Sequence, residues 1–199
     1  MTDYFALLDE PRRPWIEPET FKQKFLAQSA LVHPDRVHSL SEAERLAAQK
    51  RYTELNTACN CLREPKDRLR HLLELELGAA PKNTQNIPSA LADLFLEITQ
   101  LCRQTDSFLT EKNKITSPLL KVQEFERSQE WTEKLQTLQQ KINSRHEELL
   151  RELKSLDSKW EATSERAGLL QRLEELHALF GYFSRWNGQI QERIAQLSF

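Results

Sequence analysis

Five histidines and three cysteines are the residues of this 199-residue chain whose types invite chemistry. The most suggestive group lies in ALVHPDRVHS, Ala30 to Ser39, where His33 and Asp35 flank Pro34 and His38 follows. An imidazole and a carboxylate so close together could ligate a metal, share a proton in catalysis, or only stop one helix and open a turn. Zinc needs more ligands than this stretch holds, and the cysteines do not supply them. Cys59 and Cys61 are separated by one residue on a helix-forming run, so they point to different faces. No C-x-x-C occurs, and Cys102 lies far beyond. The expectation is therefore no metal, with the cysteines serving as small buried apolar side chains.

Catalysis finds no better footing. The chain lacks a G-x-S-x-G elbow, a Gly-rich phosphate loop and an H-E-x-x-H pair. His71, His146 and His177 fall in helical runs beside Glu or Arg, where a solvated helix surface is the plain expectation. Neither enzymatic activity nor a cofactor is expected.

The elements that must position His33 to Asp35 can be read from composition and periodicity. Only three valines and four glycines occur, while good helix formers dominate, so the chain reads as all-α. With 28 basic against 30 acidic side chains and a formal charge of −2, neither nucleic acid nor an acidic membrane surface is an expected partner. No run approaches the roughly 20 apolar residues that span a bilayer. The opening MTDYFALLDE resembles neither a secretory signal nor a transit peptide, and an odd cysteine count suits a reducing compartment. Cytoplasm is the expected location.

Tyr4 to Leu8 is a brief apolar run ended by Pro11 and Pro14. A second helix is expected from about Pro18 to Val32, with Phe21, Phe25 and Val32 inward, and Pro34 biases His33 toward extended geometry. Ser41 and Glu44 have capping-box spacing ahead of a third helix whose stripe reads Tyr52, Leu55, Cys59, Leu62. Pro65 suits the first turn of a fourth helix carrying Leu69, Leu72, Leu73 and Leu77. GAAPKNTQNIPS, residues 78–89, breaks all periodicity and reads as a linker. Beyond it come Leu91, Leu94, Phe95, Ile98, Leu101, Phe108 and Leu109 on one helix. A segment from Ser117–Pro118 to about Leu156 follows, near 60 Å long at about 1.5 Å per residue if unbroken at Ser128. The last run carries Leu173, Leu176, Phe180, Phe183, Ile190, Ile194 and Leu197. Such stripes are stable only against one another, which predicts a three-helix, partly coiled-coil-like bundle over 90–199 after a first domain over 1–77.

The order of a helix with paired aromatics, His33-Pro34-Asp35, a capped helix and then LNTACNCLREPKDR (Leu55 to Arg68) resembles the J-domain. That module, a helical hairpin with two short flanking helices, is how DnaJ-type co-chaperones stimulate a DnaK-class ATPase. The resemblance covers about Asp3 to Leu77. After Arg68 the chain continues LRHLLELELG, which is similar to the HscB-type co-chaperones of iron–sulfur cluster assembly. So are the opening DYFALL, the LNTACNCLREP string, SRHEELL (Ser144–Leu150) and the terminal Phe199.

That resemblance implies that His33, Pro34 and Asp35, with Lys22, Lys24 and Arg36, contact a DnaK/HscA-class chaperone. It also implies that Phe95, Leu96, Glu97 and Phe180 contact an iron–sulfur scaffold protein that the bundle docks. Two departures stand out. LAQSALV, Leu26 to Val32, lacks the basic residues usual there, so steering toward an acidic chaperone face is weaker. LFLEITQLCRQ, Leu94 to Gln104, keeps Phe95, Leu96 and Glu97 but not the later acids. Phe95 shares a stripe with Leu91, Ile98 and Cys102, so bundle core and partner contact both stay open for it. Leu96 falls outside either apolar stripe. The competing reading is a J-domain protein whose bundle binds a different client or self-associates, and monomer or dimer is left open.

Overall fold

A computed structural model describes residues 2–81, 88–115, 117–163 and 165–198; of residues 118–121 only the backbone is described. Half of the expected linker, residues 82–87, and Phe199 lie outside the described residues. Among those described there is no strand. The α-helices are α1 (Tyr4–Leu7), α2 (Pro18–Leu31), α3 (Pro34–Val37), α4 (Glu42–Arg63), α5 (Pro65–Leu77), α6 (Ala92–Lys112), α7 (Pro118–Ala162) and α8 (Ala167–Leu197), with a 3₁₀ turn at Ser89–Leu91.

Local chemistry accounts for the helix ends. Asp3 caps α1 by accepting the N–H groups of Phe5 at 3.0 Å and Ala6 at 3.2 Å. Pro18 and Pro65 occupy first-turn positions, where a missing N–H leaves no bond unmade. Ser41 and Glu44 form the capping box of α4, the Glu44 carboxylate accepting the Ser41 N–H at 3.0 Å. Gly78 closes α5 at φ 72°, a left-handed conformation open to glycine, and its N–H reaches the Glu74 carbonyl at 3.0 Å. Helix α7 runs through Ser128 unbroken. The Ser128 hydroxyl donates to the Glu124 carbonyl at 2.8 Å, so it is satisfied within the helix.

The chain divides into two compact units. The first comprises Met1–Lys82 and Arg151–Ala178, the second Asn83–Leu150 and Leu179–Phe199. The boundary expected between 77 and 90 follows the order of the chain; in space, the end of α7 and the start of α8 belong to the first unit.

In the first unit α4 packs against α1, α2, α3 and α5. Its buried side chains include Phe5, Leu8, Phe21, Leu55, Leu62, Leu69 and Leu72, with Trp160, Leu173 and Leu176 from the later segment. Leu77, expected inward, is exposed in the last turn of α5. Arg68 is buried beneath this core. Its Nε donates to the Pro14 carbonyl at 2.8 Å and its Nη1 to the Leu62 carbonyl at 2.7 Å. Burial lowers its pKa to about 10, so it remains a cation at neutral pH, bonded to the carbonyl end of α4. In the second unit Ile98, Phe108, Leu135, Leu138, Ile142, Phe183, Trp186 and Ile190 form the core. Each large apolar side chain so buried contributes roughly 1.5–3 kcal/mol.

Candidate functional site

Pro34–Val37 forms one turn of helix, α3, with His33 as its N-cap. Val32 ends α2, and His33, at φ −64° and ψ 136°, is the extended residue that precedes Pro34. Its Nδ1 accepts the Asp35 N–H at 3.3 Å, and its carbonyl accepts the Arg36 N–H at 2.9 Å. The His33 ring stands edge-on to Tyr52 of α4, centroids 5.5 Å apart. On the far side Val37 is buried, and His38 Nδ1 donates to the Asp35 carbonyl at 2.8 Å. The turn is therefore held at both ends, while the Asp35 side chain is 89% exposed. Its carboxylate lies 3.6 Å from His33 Nδ1. Tyr52 has a part here that a sequence reading assigns only to the core stripe.

The basic residues expected beside this turn differ in availability. Lys22 and Arg36 are exposed and make no ion pair among the described residues. Lys24 does not present a free charge: its Nζ lies 2.8 Å from the Glu10 carboxylate and donates to the Asp9 carbonyl at 3.0 Å. The Glu10 carboxylate holds its pKa above the usual lysine value.

On α6 the expected residues separate by depth. Leu96 is 62% exposed, an uncovered leucine on a helix whose inner face is fully packed. Phe95 is half-buried against the bundle core, its ring 6.4 Å from that of Trp186. Glu97 is paired with Lys141 of α7 at 2.5 Å, which compensates its charge. Phe180 requires a correction. It is 2% exposed and packs edge-on to the His146 ring at 5.3 Å, so its side chain is core and offers no partner surface.

His71 requires another. Instead of a solvated imidazole it is 3% exposed, stacked on Tyr4 at 4.5 Å and Phe5 at 5.8 Å. Its Nε2 accepts the Tyr4 N–H at 3.0 Å, which needs a neutral ring, and burial lowers its pKa accordingly. The thiols are similarly withdrawn. Burial raises the pKa of Cys59 and Cys102, and burial plus the Asp67 charge push Cys61 up to about 11. Among the described residues no group of three His, Cys, Asp or Glu side chains could hold a metal ion. No helix among them is long and apolar enough to cross a membrane.

No family model matches the chain. Among curated proteins it is similar to the co-chaperone protein HscB homologue of Bordetella pertussis. The two are 39% identical over 72 residues, 36% of this chain and 42% of that protein. The Chromobacterium violaceum homologue is 32% identical over 88 residues, 44% of this chain and 50% of that one. The chain thus spans half the length, or less, of these curated relatives. Among solved structures it is similar to chaperone HscB from Vibrio cholerae, with a TM-score of 0.61, 17% identity, and coverage of 98% of this chain and 99% of that one. Human co-chaperone protein HscB gives a TM-score of 0.63 at 20% identity, covering 96% and 82%. At these identities the structural likeness is one of all-α fold. The sequence relatives and the structural neighbours alike are HscB co-chaperones.

Proposed function

We propose that the chain is a J-type co-chaperone of iron–sulfur cluster assembly. It stimulates ATP hydrolysis by a DnaK/HscA-class chaperone and brings that chaperone an iron–sulfur scaffold protein. It performs no chemistry of its own; the reaction occurs in the partner's ATPase site. The observation that carries this reading is the Asp35 carboxylate, exposed on a turn fixed by His33 and Tyr52 on one side and Val37 on the other. A carboxylate presented on rigid backbone pairs with an arginine of the ATPase at little ordering cost. Truncating one side of such a desolvated pair costs about 2–5 kcal/mol.

With Lys24 held by Glu10, electrostatic attraction to the chaperone rests on Lys22 and Arg36. Scaffold contact rests on Leu96, with Phe95 at its buried edge. In single-turnover assays with the cognate chaperone, Asp35→Asn is expected to abolish stimulation while leaving the helical circular-dichroism signal unchanged. Full stimulation by this variant would defeat the proposal. A second reading, self-association of the bundle, is favoured by Val122 and Phe125, both exposed at a spacing of three on α7. Sedimentation of the wild-type chain and Phe125→Ser decides it: a dimer lost in the variant supports self-association, and a monomer throughout removes it.

A further inference from the structure

Helices α6 and α8 leave a groove between them of about 330 Å³, lined by Phe95, Thr99, Arg103 and Asp106 of α6 and by Trp186 and Arg193 of α8, among others. Its apolar part is aromatic, with Phe95 half-buried and Trp186 below it. Its polar part is cationic. Arg103 is exposed and makes no ion pair among the described residues. Arg193 gives Nη2 to the Asp106 carboxylate at 2.7 Å and Nη1 to the Gln189 carbonyl at 2.9 Å. Its Nε is enclosed and has no hydrogen-bond partner. Two guanidinium groups against one carboxylate leave the groove one positive charge in excess, with one buried N–H unsatisfied.

Arg103, exposed on the groove, is the guanidinium that a ligand carboxylate can reach. A guanidinium beside an aromatic face favours a planar anion flanked by an apolar group. We propose that this groove receives an acidic segment of the bundle's protein partner, a carboxylate facing Arg103 and Arg193 and an adjacent apolar side chain resting on Phe95 and Trp186. Leu96 lies on the same helix, so the inference rests on the reading of α6 as the scaffold-contacting helix and specifies the chemistry of what contacts it. The partner surface is then acidic and apolar, and raising the salt concentration weakens the complex.

The test is calorimetry of the full chain with the cognate iron–sulfur scaffold protein at low and high salt. Arg103→Glu is expected to weaken binding by roughly tenfold and Arg103→Gln by a smaller factor. Lys50→Glu, the same change of charge at an exposed site on α4, leaves affinity as it was. Undiminished binding by Arg103→Glu, with binding reduced in Leu96→Ala, would overturn the groove and leave the scaffold reading standing. If the wild-type chain does not bind the scaffold at all, both fall together.

Discussion

Arg13 and Asp157, 144 positions apart, form a two-pronged ion pair inside the first compact unit. The Nε of Arg13 lies 3.1 and 3.0 Å from the two Asp157 oxygens, and its Nη2 reaches one of them as well. The same buried carboxylate accepts the Trp15 N–H at 3.1 Å, and Trp160 Nε1 donates to the Arg12 carbonyl at 2.9 Å. The Arg12–Trp15 segment, whose Pro14 carbonyl also receives Arg68, is thereby fastened to the last turns of α7.

Removing the carboxylate leaves the Trp15 N–H without its acceptor and the Arg13 guanidinium with Glu161 alone, 2.7 Å from its Nη1. Because Arg13 retains partial solvent access, Asp157→Ala is expected to cost on the order of 2–3 kcal/mol. Urea denaturation of the full chain measures it. A polypeptide of residues 1–77 alone should unfold at a lower urea midpoint than the same residues within the full chain, since it lacks Asp157 and Trp160.

His71 makes the first unit acid-sensitive in a definite direction. Its folded pKa lies below the ordinary 6.5, chiefly through burial; Asp3 and Glu74 oppose that shift while Arg70 and Arg12 add to it. The unfolded chain therefore binds the proton more readily. The stabilisation is complete above about pH 6.5 and declines as pH falls from there through the folded pKa. Denaturation midpoints at pH 7.5 and 5.5 should differ less in His71→Gln than in the wild type.

Lys22 and Lys24, two residues apart on α2, should separate function from stability. Lys22→Ala is expected to reduce chaperone stimulation and its salt dependence. Lys24→Ala, which leaves the largely buried Glu10 carboxylate without its lysine, should lower stability by about 1–3 kcal/mol and alter stimulation little. Stimulation titrated against ionic strength distinguishes the two; equal losses would return Lys24 to the contact surface.

Leu96 and Phe180 form a matching pair in the bundle. Leu96→Ala should change stability by no more than about 0.5 kcal/mol and weaken scaffold binding. Phe180→Ala opens a cavity and should cost about 3–5 kcal/mol, read by thermal or urea unfolding.

Features that depend on neighbours along the chain are legible in the sequence alone. The Ser41–Glu44 box, the first-turn prolines at 18 and 65, and the Gly78 stop mark helix ends by local hydrogen bonding and φ restriction. The exposure of Leu96 follows from its place outside both apolar stripes. What is not legible depends on distant partners. His71 is buried because Tyr4, 67 positions earlier, supplies an N–H for its ring. Lys24 is held by Asp9 and Glu10 across a bend that periodicity does not describe. Phe180 is buried as its place on the last apolar stripe predicts; its expected partner contact comes from the family resemblance and not from that stripe.

The withdrawn thiols have a chemical consequence. With a pKa of about 11, Cys61 is a thiolate in only about one molecule in ten thousand at neutral pH. Cys59 and Cys102 are shifted the same way by burial. Thiolate is the form that captures thiophilic metals, so these cysteines are weak metal ligands at neutral pH. By the same chemistry its cysteines should react slowly with alkylating agents and peroxide until the helices that cover them come apart.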